Sequence, residues 1–391
     1  MRRRTFVAAL GATALGGCLR SGDLGTASET PAPQSTETDT PPTETATPTE
    51  TEPTPDPDAT GSRILTELWR EPGSWFAVAD GVVYVHNGLR LGAWTADGSV
   101  RWTRQDEQVP FGRPVVDGDT LYLLHRTGDG TSVLRALDTA DGRDRWETTI
   151  DGSVQSLPLP TADTLLLNVA DLGGEEGNDA ILGLDRASGE RLWTQPSGLS
   201  STPGSRRLGT VGGDGFAYVT AGTTSASARV SKLDPATGER EWDWTGETPA
   251  SEPVYADGSV YVGTYADVTA LDADSGEQRW RVETFDTNYA LPAVVDGTVY
   301  AGSRDTAVYA IEATSGDQRW RTQVGGGIDA VAASGKTVFA GHDGGLAVLE
   351  AGGTLATRAA YDRGTSRVTH AADRLFVGAE YATIAYEVGT A

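Results

Sequence analysis

Few side chains in this 391-residue sequence have the types and spacing that catalysis or metal binding requires. The four histidines, His86, His125, His342 and His370, are scattered, and none has the spacing of a metal-ligand set. We interpret His125 and His342, each at the end of an apolar run, as exposed loop residues and as candidates for a binding face of the molecule. Neither a Gly-x-Ser-x-Gly nucleophile motif nor a phosphate-binding loop occurs. The sequence therefore predicts no catalytic site and no metal site.

One acidic, glycine-rich stretch, DLGGEEGND from Asp171 to Asp179, has the oxygen ligands that calcium prefers. It lacks the spacing of an EF-hand loop, so a solvated loop is the favoured interpretation and weak calcium binding is the alternative.

The N-terminus carries the clearest chemical signal. Residues 1–17 have a basic start, a short apolar run and small residues before Cys18, which is typical of an export signal. Arg3 and Arg4 resemble the twin-arginine export motif, and LGGC at 15–18 resembles a lipobox, in which the cysteine thiol receives a diacylglyceryl group. Residues 18–62 are rich in Thr, Pro and acidic residues, which predicts a disordered stalk behind a lipidated Cys18.

The charge is strongly acidic. The formal net charge is −24, and residues 63–391 alone hold 46 acidic against 27 basic residues, only two of them lysine. Such a surface argues against a nucleic-acid partner and suggests adaptation to high salt, in which self-repulsion is screened.

Two phrases recur along residues 63–391. One is an apolar-acidic-turn-Trp phrase such as LDADSGEQRW from Leu271, and the other is an Asp-Gly hairpin such as VYADGSVYVG from Val254. Each pair of phrases predicts four short antiparallel strands. The Trp on the fourth strand is expected to pack against the next repeat, which assigns a blade-docking role to Trp69, Trp102, Trp146, Trp193, Trp242, Trp280 and Trp320.

Four-stranded units whose tryptophans lie 33 to 49 residues apart favour an all-β, eight-bladed β-propeller over the alternative of a β-solenoid. The last hairpin is followed by a third strand but no fourth. Residues 64–70, which have a fourth-strand pattern ending in Trp69, are therefore expected to complete blade eight and close the ring. In blade seven the Trp slot falls on Thr357 or Arg358, which predicts a weak joint there.

The phrases L-D-x-x-[ST]-G-x-x-x-W and V-x-D-G-x-[VL]-Y-x-G resemble the PQQ-like β-propeller repeat across about residues 63–391. This family includes quinoprotein alcohol dehydrogenases and the outer-membrane assembly lipoprotein BamB. The lipobox and length look more like BamB, and the acidity suggests a haloarchaeal-type exported lipoprotein. The enzymes' adjacent cysteines are absent from residues 63–391, and no carboxylate can be matched to their calcium or base positions. Neither PQQ nor calcium is therefore expected as a cofactor.

The sequence varies most between strands two and three and between strands four and one, which emerge on one side of the ring. Variable loops on a rigid frame are where binding usually resides. The expected function is therefore a non-catalytic scaffold on the outer face of the cell membrane, held only by its lipid, that binds an envelope protein or surface assembly. A PQQ-dependent dehydrogenase-like enzyme, or another propeller enzyme such as a hydrolase using channel carboxylates, is the alternative. Aromatic residues in these loops either anchor a partner or seal the channel mouth: Trp75, Phe111, Tyr265, Phe285 and Tyr289.

The anchoring prediction is tested by Cys18→Ser. Without its thiol the protein cannot accept a diacylglyceryl group, so it should appear in the medium or accumulate as uncleaved precursor. Cell fractionation and immunoblotting would detect either outcome, whereas unchanged membrane retention would contradict the lipid anchor.

Overall fold

The computed structural model describes residues 63–174, 178–196, 206–211, 214–223, 226–246, 251–288 and 290–390. In these ranges the chain forms 33 β-strands and one short 3-10 turn, Leu172–Gly174. No helix in them is both long and apolar enough to cross a membrane.

The strands form eight antiparallel sheets that follow one another along the chain as the blades of a propeller. The first four blades contain the following strands: β2 (Trp75–Ala79), β3 (Val82–Asn87), β4 (Arg90–Thr95) and β5 (Val100–Gln105); β6 (Val115–Asp117), β7 (Thr120–Arg126), β8 (Ser132–Asp138) and β9 (Asp144–Ile150); β10 (Ser153–Val154), β11 (Leu159–Pro160), β12 (Thr164–Ala170), β13 (Ala180–Asp185) and β14 (Arg191–Pro196); β15 (Arg206–Val211), β16 (Ala217–Thr223), β17 (Ala226–Leu233) and β18 (Arg240–Gly246).

Blades five to seven repeat the same order, and blade eight combines the two ends of the described chain. Their strands are: β19 (Val254–Ala256), β20 (Ser259–Gly263), β21 (Asp267–Asp272) and β22 (Gln278–Glu283); β23 (Ala293–Val295), β24 (Thr298–Gly302), β25 (Ala307–Glu312) and β26 (Gln318–Gln323); β27 (Ile328–Ser334), β28 (Thr337–His342), β29 (Gly345–Glu350) and β30 (Leu355–Ala360); β31 (Thr365–Ala371), β32 (Arg374–Ala379), β33 (Ala382–Thr390) and β1 (Arg63–Pro72).

The predicted eight-bladed propeller is confirmed, as is closure of the ring by the N-terminal strand. β1 pairs antiparallel with β33 over their whole length, from Arg63 opposite Thr390 to Pro72 opposite Ala382. Blade three departs from the four-strand pattern because its first strand is split into β10 and β11, with Pro158 between them and Pro160 in β11. Proline lacks the amide hydrogen that a continuous inner strand would donate.

The burial pattern of the blades follows the position of each strand. The second and third strands are almost wholly buried between neighbouring blades, whereas the fourth strands alternate between exposed and half-buried residues. The first strands are half-buried and approach the first strands of the adjacent blades. They therefore line the central channel, and the fourth strands form the outer rim.

Seven tryptophans on the outer strands join each blade to the next. Each indole N–H donates a hydrogen bond of 2.7 to 3.2 Å to a backbone carbonyl in the turn between the third and fourth strands of the following blade. The acceptors are Ala96, Thr139, Arg186, Pro235, Ala273, Ala313 and Ala351. Because a buried indole needs a partner for its N–H, this contact fixes the ring's orientation as well as burying its surface.

The same turns explain the glycine in the repeated phrase. In all seven turns its φ lies between +72° and +89°, a region that L side chains rarely adopt. An added β-carbon would also stand 2.6 to 2.8 Å from atoms of the preceding blade's indole, well inside the normal carbon contact distance of about 3.5 Å. The glycine therefore both closes the turn and leaves the space that the tryptophan fills.

The joint between blades seven and eight is built differently. Thr357 occupies the position that tryptophan has in the other blades, opposite Val348 in the sheet. Blade eight also has no turn between its third and fourth strands (a 3–4 turn) to receive an indole, because these strands are β33 and β1. The Arg63 guanidinium instead donates to both oxygens of Glu350, at 2.7 and 3.0 Å, and the rings of Phe339 and His370 stack with centroids 5.5 Å apart. That this joint is the weakest stays a prediction.

A pair of glycines in blade five separates the two roles of the turn glycine. Gly276 (φ +74°) faces Trp242, whereas Gly258 (φ +72°) has nothing within 4 Å of its added β-carbon. Gly258→Ala should cost about 1–2 kcal/mol for the backbone conformation alone. Gly276→Ala should cost about 1–3 kcal/mol more, because the indole must move. Melting temperatures measure both, and equal destabilisation would contradict the packing role.

Candidate binding face

The two sides of the ring carry different connections. The loops between second and third strands, and those from each fourth strand to the next first strand, emerge together on the side we call the loop face. The tight hairpins between first and second strands and the 3–4 turns emerge on the opposite side, the turn face. On the loop face the connections are irregular, as in residues 127–131, 264–266 and 284–288.

Exposed apolar side chains are distributed unequally between these sides. Among the described residues, eleven large apolar side chains are exposed, and the turn-face loops contain none of them. Four lie on outer strands: Ile64, Leu68, Val100 and Leu192. The other seven lie on the loop face, in its loops or at the start of a first strand: Trp75, Leu89, Val109, Tyr265, Phe285, Leu291 and Tyr381. The loop face is therefore the side with apolar surface available to a partner.

Three of the aromatic candidates from the sequence are exposed on this face. Phe285 is 79% exposed, with the Arg321 guanidinium 5.3 Å from its ring centroid, Trp75 is 54% exposed, and Tyr265 is also exposed. Tyr289 lies outside the described residues.

Phe111 is placed differently from these three. It is half-buried, the Arg126 guanidinium lies 3.4 Å from its ring centroid, and the ring packs against the core between blades two and three. Its contacts give it a packing role.

Sequence reasoning did not single out Tyr381, which is 68% exposed in the loop between β32 and β33. Its position between the last hairpin and the following strand is the signal that could have identified it. Leu89, Val109 and Leu291 were missed as well, because a single aliphatic residue in a loop carries no distinguishing pattern.

The interpretation of His125 and His342 as exposed loop residues is wrong. They are 1% and 6% exposed, at the ends of β7 and β28, which extend further than the hairpin pattern predicted. A second strand is flanked by strands on both sides and packed between blades, so His125 and His342, which lie within such strands, are covered. Burial lowers the pKa of both imidazoles, so both are neutral at pH 7. They lie in blades two and seven and form no joint site.

The acidic stretch from Asp171 to Asp179 closes a loop through its own backbone. The Asp171 amide donates to the Asp179 carboxylate at 3.3 Å, and the Asn178 side chain donates to the Leu172 carbonyl at 2.8 Å; residues 175–177 lie outside the described ranges. Asp179 is buried, so this end of the loop is less solvated than expected.

Nowhere in the described ranges do three or more His, Cys, Asp or Glu side chains cluster so as to hold a metal ion. In the quinoprotein enzymes that the repeat resembles, a calcium ion holds PQQ. That neither group binds this protein stays a prediction.

The fold and its repeats define a β-propeller of the PQQ-like class. The chain belongs to the family described as outer membrane protein assembly factor BamB, whose profile matches residues 111–245 and 226–387. The resemblance to BamB-like propellers is thereby confirmed. The lipid anchor, the twin-arginine export and the haloarchaeal type remain predictions, and Cys18, Arg3 and Arg4 lie outside the described residues.

Known proteins similar to this chain carry different names. BamB of Yersinia pestis is 26% identical over 216 residues, which cover 55% of this chain and 43% of that protein. The serine/threonine-protein kinase AfsK of Streptomyces coelicolor is 29% identical over 295 residues, covering 62% of this chain and 34% of the kinase. The chain thus spans less than half the length of these curated relatives.

Solved structures share the propeller at lower sequence identity. The crystal structure of BamB from Moraxella catarrhalis matches with a TM-score of 0.68 and 18% identity, covering 83% of this chain and all of that one. A europium-containing methanol dehydrogenase matches with a TM-score of 0.58 and 14% identity, covering 80% of this chain and 84% of the enzyme. Both likenesses concern the fold alone.

Proposed function

We propose that this protein is a non-catalytic docking scaffold of the cell envelope, anchored by a lipid on Cys18, whose loop face binds an envelope protein. The observation that carries the proposal is the one-sided distribution of exposed apolar residues among the described residues. Membership of the BamB family supports it, because that family is described as an assembly factor for outer membrane proteins. The lipid and the stalk would hold the ring near its own membrane.

The physical basis for docking is the contrast between a rigid frame and an adaptable face. The blades are locked through indole contacts at the 3–4 turns, all on the turn face. Substitutions in the loops on the other side leave these contacts in place. Apolar and aromatic anchors surrounded by polar residues are the usual energetic centre of a protein interface. Tyr265, Phe285 and Leu291 are exposed in neighbouring loop-face connections, in blade five and between blades five and six, and are the candidates for such anchors.

Two triple alanine variants test the docking proposal, one with its changes on the loop face and a matched control with its changes on the outer strands. Alanine at Tyr265, Phe285 and Leu291 together should abolish capture of an envelope partner from solubilised membranes, with little change in melting temperature, because these side chains are exposed. Alanine at Ile64, Val100 and Leu192, which are also exposed apolar residues, should leave capture intact. Affinity purification with quantitative mass spectrometry compares the two variants.

Two outcomes would contradict the proposal. Capture that survives the loop-face variant but is lost in the outer-strand variant would place the interface on the rim. Dye-linked alcohol or sugar oxidation by the purified protein supplied with PQQ and calcium would favour the dehydrogenase-like alternative.

A further inference from the structure

Three consecutive blades place notable side chains at one equivalent position, within the inner strand or just before it. Arg367 in blade eight, Trp75 in blade one and Arg113 in blade two each stand four residues before the last residue of the first strand, which is Ala371, Ala79 or Asp117. Those last residues occupy the same hairpin register, opposite Arg374, Val82 and Thr120. Because the chain enters each first strand from the loop face, the three side chains lie at the loop-face mouth of the channel.

The two guanidiniums at this mouth are poorly compensated. Neither makes a hydrogen bond or an ion pair with any residue that the structure describes, and the Nε of Arg367 is buried without a partner. The Arg367 guanidinium lies 5.4 Å from the ring centroid of Phe76. Burial lowers the pKa of Arg367 to about 9, with repulsion from Arg113 adding to the effect, and burial also lowers the pKa of Arg113.

One carboxylate acts on both arginines. Glu252 occupies the equivalent position of blade five, four residues before Ala256, across the ring from blade one. Its charge attracts Arg113 and Arg367, and it also has a contact of its own. A single negative charge cannot balance two positive ones. Among the described residues, the two arginines and Glu252 therefore leave an excess positive charge at the mouth, in a domain whose net charge is −19. A buried and unpaired charge is costly unless an anion binds to it.

We propose that the channel mouth is a carboxylate-binding site that receives an aspartate or glutamate side chain of the docked partner between Arg113 and Arg367. Guanidinium groups bind carboxylates through paired, charge-assisted hydrogen bonds. The exposed indole of Trp75 offers apolar surface to the methylenes of the incoming side chain. This inference rests on the proposed docking function and names the chemistry of its central contact.

A tethered carboxylate fits this site better than a free anion does. The acidic domain repels small anions from solution. A side chain presented by a protein already held on the loop face arrives at high effective concentration. The exposed apolar residues of the loop face supply that first contact, and the two arginines determine where the partner's acidic side chain is held.

Calorimetric titration of the full-length protein with acetyl-tetraglutamate amide tests the site, with acetyl-tetraglutamine amide as the neutral control. The glutamate peptide should bind, and Arg113→Gln with Arg367→Gln should weaken it at least tenfold. Arg143→Gln makes the same kind of change at a side chain that is 86% exposed on the turn face, and should leave binding unchanged. Equal binding of both peptides, or unaltered binding by the double variant, would overturn the site.

Folding of the double variant is monitored by its melting temperature, which should not fall, because two mutually repelling charges are removed. Should that variant fail to fold, Glu252→Gln decides the question. This change retains both arginines and removes the competing carboxylate, so the glutamate peptide should bind several-fold more tightly. Unchanged or weaker binding would contradict the proposal.

Different outcomes distinguish an error in the assigned source of the carboxylate from an error in the proposed docking function. If N-acetylglutamate binds as tightly as the peptide, the ligand is a free anion and the assignment to a docked side chain fails. If the double arginine variant captures the envelope partner as well as the parent does, docking stands and the carboxylate contact is wrong. The triple alanine variant at Tyr265, Phe285 and Leu291 gives the third outcome. If it still captures the partner while peptide binding depends on both arginines, the proposed docking face is wrong. The assignment of the carboxylate to a partner docked there then fails as well.

Discussion

The contact between each outer-strand indole and the next blade's 3–4 turn is the interaction on which the rest of this structure depends. The indole N–H is satisfied by a backbone carbonyl, and its face covers a glycine that can carry no side chain. Packing and hydrogen bonding therefore favour the same relative orientation of adjacent blades. Repeated seven times, this contact joins a series of small four-stranded sheets into a ring whose geometry does not depend on its loops.

Closure imposes the one exception to this rule. Because the N-terminal strand completes blade eight, that blade has no 3–4 turn, and blade seven accordingly has no tryptophan to place there. The joint relies instead on the bidentate pair of Arg63 and Glu350, together with inner-strand packing such as Phe339 against His370. The eighth interface is therefore the point at which an N-terminal change would be felt by the whole ring.

Features that repeat locally could be predicted from the sequence. The Asp-Gly hairpins, the Trp slot and the closing strand at 64–70 all follow from spacing and strand alternation, because each copy reinforces the others. Features that depend on contacts between blades could not. The burial of His125 results from the length of β7 and its packing between blades, and the half-buried position of Phe111 results from its contact with Arg126. The proximity of Arg113 and Arg367 results from ring closure. None of these three features recurs at a regular spacing along the sequence.

The division between a turn face that holds the ring and a loop face that carries apolar and cationic residues is the basis of the functional account. Site-specific photo-crosslinking in intact cells tests it most directly, with the photoreactive residue at position 285 on the loop face or at position 143 on the turn face. The account predicts a discrete protein adduct from position 285 and none from position 143. An adduct formed from position 143 but not from position 285 would contradict it.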